Sequence, residues 1–83
     1  MNEEQFIIIG RSTCRFCAMA QDFLSAKLIK YQFLDYNSSR AILEEYKEFY
    51  KQETVPIILS NNTNSGLVKK VGGYTDLVDY LSG

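Results

Sequence analysis

Cys14 and Cys17 hold the most chemistry in this chain, and a spacing of three residues lets two thiols meet across one helical turn. A thiol attacks a disulfide only as thiolate, and an ordinary cysteine, with a pKa near ~8.5, supplies little of that form at neutral pH. Position can change this. If a helix begins just after Thr13, Cys14 lies in its first turn, where unpaired N–H groups and the macrodipole favour a negative sulfur. Arg11 and Arg15 add positive charge on either side. Cys17, a turn deeper on the same side, is better shielded, so Cys14 is expected to attack and Cys17 to resolve. Two other uses of the pair stay open. Free cysteines often serve as small apolar core residues, and a Cys-x-x-Cys pair supplies two of the four ligands of a structural zinc, the rest having to come from a second chain or a cofactor.

Such a pair has to be presented by a strand before it and a helix after it. Gln5 to Gly10 is an isoleucine-rich run ended by glycine and reads as a buried strand, followed by a turn at Arg11-Ser12-Thr13. Phe16, Met19, Ala20, Phe23 and Leu24 fit the apolar face of a helix, with Thr13 as its expected N-cap. Tyr31 to Asp35 alternates as a second strand, parallel to the first by the order strand, helix, strand. Asn37-Ser38-Ser39 is a capping cluster for a second helix with Ile42, Tyr46, Phe49 and Tyr50 on one side. Ile57 to Leu59 should pair with Leu67 to Val71 across a long tip from Ser60 to Gly66. Gly72-Gly73 then turns the chain into a last helix capped by Thr75, with Tyr74, Leu77, Val78 and Leu81 inward and Gly83 as its stop. The order β-α-β-α-β-β-α describes an α/β chain with a four-stranded mixed sheet and helices on both faces, a thioredoxin-like layout in one domain over residues 1–83.

Composition narrows the chemistry further. With 83 residues, 46% hydrophobic and 23% charged, the chain suits one thin-cored globule rather than a disordered or fibrous one. It has no histidine, which removes serine-histidine triads, histidine-paired cysteine nucleophiles and most zinc sites. A net charge of -1 with interspersed signs gives no field that gathers nucleic acid or an anionic membrane. Met1-Asn2-Glu3-Glu4-Gln5 is acidic where a secretory signal is basic, and no apolar run approaches a membrane span, so a reducing cytoplasm is the expected location. A permanent structural disulfide is not expected there, and a Cys-x-x-Cys pair between strand and helix then points to redox exchange.

Three separated motifs, Ser12-Thr13-Cys14-Arg15-Phe16-Cys17, Thr54-Val55-Pro56 and Gly72-Gly73-Tyr74-Thr75-Asp76, together resemble the glutaredoxin family over nearly the whole chain. The resemblance implies a glutathione-disulfide oxidoreductase, with Cys14 and Cys17 catalytic, glutathione as co-substrate and no metal. It implies a glutathione site made of Arg11, Phe16, Thr54, Val55, Pro56, Gly73, Tyr74, Thr75 and Asp76. Within that set, a cis bond precedes Pro56, the backbone of Val55 pairs with the cysteinyl part, and Thr75 and Asp76 meet the charged end of the gamma-glutamyl group. Arg11 stands where many members carry a lysine for the glycine carboxylate, and Phe16 replaces the usual tyrosine. The implied partners are disulfide-bearing or glutathionylated proteins, ribonucleotide reductase among them, served by a monomer.

Blander readings accompany these assignments. Pro56 could merely end a helix, Asp76 merely suit a helix start, and Arg11 merely be a solvated charge. The chain also departs from the family pattern. Arg15 replaces the proline after the first cysteine, and Glu53 replaces a positive residue. The tip from Ser60 to Gly66, followed by Lys69-Lys70, is longer than usual, a partner surface or a tolerated insertion. Two rival functions follow: a thioredoxin-like electron donor served by a flavoprotein reductase, and a module holding an iron-sulfur cluster between two subunits through Cys14 and glutathione.

Overall fold

A computed structural model describes residues 4–82, in which β1 (Glu4–Gly10), α1 (Arg15–Ala26), β2 (Tyr31–Asp35), α2 (Arg40–Tyr50), β3 (Ile57–Asn62), β4 (Val68–Gly72) and α3 (Tyr74–Ser82) follow in order. The strands form one mixed sheet in the order β2-β1-β3-β4. β1 runs parallel to β2, with Phe6 opposite Tyr31 and Gly10 opposite Asp35. It runs antiparallel to β3, with Ile8 opposite Ile58 and Ile9 opposite Ile57. This is the expected thioredoxin-like fold.

The two-residue period of a strand divides the central apolar residues between the faces. Phe6, Ile8 and Ile58 pack with Ala20 and Leu24 of α1 and Leu77 of α3. Ile9, Ile57 and Leu59 face the other way and pack with Leu43 of α2. Two helices thus cover one face and one helix the other. Full burial of a side chain of this size stabilises by about 1.5–3 kcal/mol, so these few residues carry most of the fold. Among the described residues, no helix is long and apolar enough to cross a membrane.

The structure corrects several local expectations. Phe16 does not join the buried stripe of α1, which consists of Cys17, Ala20 and Leu24, while Phe16 stays 51% exposed. Helical side chains lean toward the N-terminus, so one in the first turn overhangs the end of the helix with no sheet behind it. In α2 the deeply buried residue is Leu43, with Tyr46 and Tyr50 half-buried, whereas Ile42 and Phe49 face outward. Two overlapping stripes satisfy the helical period there, and packing against the isoleucines of β1 and β3 selects the one through Leu43. β3 extends three residues beyond Leu59, because Ser60, Asn61 and Asn62 pair with Phe6, Gln5 and Glu4. The buried Ser60 hydroxyl donates to the Glu4 carboxylate, which is how a polar residue is accommodated in that position. The tip therefore runs only from Thr63 to Leu67, closed by Asn62 N–H on Leu67 O at 2.9 Å. Ser39 occupies the N-cap of α2 without a side-chain capping bond. Gly83, the expected stop of the last helix, lies outside the described residues.

Candidate active site

The chain leaves β1 at Gly10 and turns through Arg11 to Thr13, with Cys14 N–H donating to Arg11 O at 3.0 Å. Cys14, not Thr13, is the N-cap of α1, with φ -86° and ψ 122°, and its carbonyl accepts the first helical bond, from Ala18 N–H at 3.2 Å. The N-cap residue stands at the open end of the helix beside the unpaired N–H groups of the first turn, and Cys14 makes no side-chain capping bond to them. Thr13 serves elsewhere: its hydroxyl donates to Asn37 Oδ1 at 3.0 Å. Asp35 completes that attachment. Its Oδ1 accepts Ser12 N–H at 2.9 Å and Asn37 N–H at 3.0 Å, tying the turn to the end of β2. The bonds from Asn37 and Ser12 hold its carboxyl below the usual carboxylate range.

Both cysteines are free; Cys14 is half-buried and Cys17 fully buried. Burial pushes the Cys17 thiol up from 9.0 to about 12, the adjacent Cys14 sulfur adds to the rise, and the backbone N–H and charge of Arg11 oppose it. The Cys14 thiol donates to Val55 O at 3.8 Å, joining the dithiol to a second segment. In that segment the Val55-Pro56 bond is cis. Gln52 holds it in place: α2 ends with Lys51 in the left-handed region, and the Gln52 amide then donates to Thr54 O at 3.0 Å and Pro56 O at 2.7 Å.

A third segment arrives from β4. Gly72 has φ +127°, which L side chains rarely adopt, and Gly73 caps α3 by accepting Leu77 N–H at 3.0 Å. Asp76 reaches back with Oδ2 to accept Gly73 N–H at 2.8 Å, the acidic half of a capping box. Thr75, the expected cap, lies inside the helix and is exposed. The backbone of Gly73 takes the capping place instead, and a Cβ there would make only ordinary contact with the Pro56 carbonyl, at 3.9 Å.

The three segments enclose an open groove of about 470 Å³. Phe16, Thr54, Val55, Pro56, Gly73, Tyr74, Thr75 and Asp76, all expected site residues, line it together with Gln52, which was not expected. Phe16 and Tyr74 form an aromatic wall, ring centroids 6.2 Å apart. Three expected site residues, Arg11, Cys14 and Cys17, lie outside this lining; the Arg11 Nε is buried and has no hydrogen-bond partner among the described residues. Gln52 and Asp35 each act through two side-chain bonds to backbone, which leave no local sequence pattern. Glu53 and Arg15 are exposed.

Comparison with known proteins gives a consistent picture. The glutaredoxin family model matches residues 6–63, which includes the first two motifs and ends before the third. No curated protein sequence matches the chain. Reduced glutaredoxin from Escherichia coli overlays with a TM-score of 0.69 at 29% identity, covering 94% of this chain and 93% of its own. A glutaredoxin from Francisella tularensis, complexed with cacodylate, gives 0.70 at 20% identity over 95% and 93%. A buckwheat glutaredoxin in complex with glutathione gives 0.78 at 17% identity over 98% of this chain and 71% of its own.

Proposed function

The chain belongs to the glutaredoxin family of thiol-disulfide oxidoreductases, and from that premise we propose that it uses glutathione as electron donor to reduce glutathione mixed disulfides and protein disulfides. The observation that carries this reading is the Cys14 sulfur at an N-cap, bonded to the Val55 carbonyl of a groove, with Cys17 buried behind it. In the first step the Cys14 thiolate attacks one sulfur of the substrate disulfide. A mixed disulfide forms at Cys14 as the substrate S–S bond breaks, and the departing sulfur takes a proton. Release then follows one of two routes. A glutathione thiolate attacks the mixed disulfide, or the Cys17 thiol attacks Cys14, closing the Cys14-Cys17 bond while its proton passes to the departing substrate sulfur.

The groove suits a peptide-like co-substrate. The backbone of Val55 can pair with the cysteinyl part as an added strand does. The first turn of α3 offers N–H groups to a carboxylate, and Asp76, whose Oδ2 holds Gly73 N–H, keeps acceptor capacity for an ammonium group. Arg11, with an unpartnered buried Nε, supplies the remaining positive charge. The substrates follow from the chemistry: disulfide-bearing and glutathionylated proteins, met by a monomer in a reducing cytoplasm.

Steady-state reduction of a glutathione mixed disulfide, with glutathione and glutathione reductase as electron supply, tests the proposal. Cys14→Ser abolishes turnover, while Cys17→Ser retains turnover of glutathione mixed disulfides and loses that of protein disulfides. Full activity without Cys14, or turnover supported by a flavoprotein thioredoxin reductase and not by glutathione, refutes it.

A further inference from the structure

Gly10 is the last residue of β1, and its φ lies outside the left-handed region, so backbone freedom does not explain a glycine there. Space does. A Cβ at this position would overlap the Cys17 sulfur and stand 3.5 Å from Cys17 Cβ and 3.8 Å from the Phe33 ring. Cys17 is fully buried, with its thiol beside both Cys14 and the backbone N–H of Arg11. Its sulfur has one torsion and three staggered positions, and a methyl group at Gly10 excludes the occupied one. Either alternative swings the sulfur by about 120°, out of its place beside Cys14.

We propose that Gly10 is a positioning residue for the resolving step: its missing side chain leaves the space in which the Cys17 sulfur stays within reach of Cys14. The proposal rests on the reading of Cys14 and Cys17 as a redox pair. In that step the Cys17 sulfur attacks Cys14 of the mixed disulfide. One S–S bond forms, one breaks, the dithiol is oxidised by two electrons, and the released substrate thiol carries away the Cys17 proton. A displaced Cys17 sulfur weakens the Cys14-Cys17 disulfide relative to the dithiol and leaves attack by Cys14 untouched.

The test is Gly10→Ala, equilibrated in glutathione redox buffers, acid-quenched, alkylated and weighed by mass spectrometry. The ratio of Cys14-Cys17 disulfide to dithiol at a given buffer falls about fivefold to tenfold, tenfold being about 30 mV for this two-electron couple. Turnover of a protein disulfide falls with it, and turnover of a glutathione mixed disulfide, which needs only Cys14, does not. A second comparison separates position from folding. Where Cys17→Ala has removed the sulfur, adding Gly10→Ala causes no further loss of thermal stability, because the methyl group enters the vacated space. An unchanged disulfide-to-dithiol ratio overturns the proposal, and so does an equal stability loss with and without the Cys17 sulfur. If the unsubstituted protein shows no Cys14-dependent turnover, the redox reading itself fails, a result distinct from either of these.

Discussion

Replacing Gln52 with alanine removes a single amide that donates to Thr54 O at 3.0 Å and Pro56 O at 2.7 Å. The two carbonyls respond differently. Thr54 is exposed and its carbonyl regains water at little cost, whereas Pro56 is buried, and leaving its carbonyl unpaired costs about 1–3 kcal/mol. A central figure of about 2 kcal/mol corresponds to a fall in melting temperature of about 8–16 °C for a domain of this size. The same bonds order the backbone of Thr54 to Pro56. If binding must restore about 1 kcal/mol of that order, the KM for glutathione rises about fivefold, with a smaller effect on kcat. Thermal unfolding followed by circular dichroism and steady-state kinetics with varied glutathione measure the two effects. Gln52→Glu keeps the shape but aims a carboxylate oxygen at two carbonyls, so it should fall at least as far. A melting temperature within about 2 °C of the original, under half a kcal/mol, together with an unchanged KM refutes the reasoning.

Three further outcomes follow from the same region. Because the Cys17 thiol is pushed up to about 12 while an unfolded cysteine titrates near 9.0, the folded state gains from keeping it protonated. That contribution is intact below about pH 9 and is lost as pH climbs toward about 12, so reduced protein loses stability over this window and Cys17→Ala loses less. Iodoacetamide at neutral pH should accordingly label Cys14 alone, with Cys17 labelled only after denaturation; labelling of both in the folded protein contradicts the burial argument. Gly72→Ala forces an L residue to φ +127° with its Cβ 2.7 Å from Asp76 Cγ, and denaturant titration should show a loss of about 1–3 kcal/mol. Unchanged stability there would mean that the turn can be rebuilt around a side chain.

The dithiol, the Thr54-Val55-Pro56 turn and the Gly72-Gly73 turn are short patterns whose chemistry is carried by neighbouring residues, and all three were legible before the structure. Periodicity and turn residues exposed the element order, the meeting of the three on one site was implied by the family resemblance, and the pairing of β1 with β3 that joins them emerged only in the structure. What stayed hidden depends on contacts between distant segments. Leu43 and Ile42 satisfy the same helical period, and only the isoleucines of β1 and β3 distinguish them. Ser60 to Asn62 is too polar to read as strand until the β1 backbone is beside it. Thr13 and Thr75 are good capping types that found other surroundings, one bonded to Asn37 and one exposed inside a helix whose cap is a glycine. Gly10 read as a strand end, and its tie to Cys17 appears only when both are placed.

The site's parts are anchored at different depths of the sheet. Cys14 follows the end of β1 and Pro56 immediately precedes the start of β3, the two inner strands, while Gly73 and Asp76 follow β4, an edge strand whose Val68, Lys69 and Lys70 are exposed. Separating β1 from β3 dismantles both halves of the core, but lifting β4 and α3 gives up one strand pairing and the packing of Leu77, Val71, Tyr74 and Leu81 on one half only. The second opening is sub-global and costs less than unfolding. Grip and chemistry can therefore come apart in time: the outer arm is able to release its hold and re-form it between turnovers while the sulfur and the proline turn stay in register.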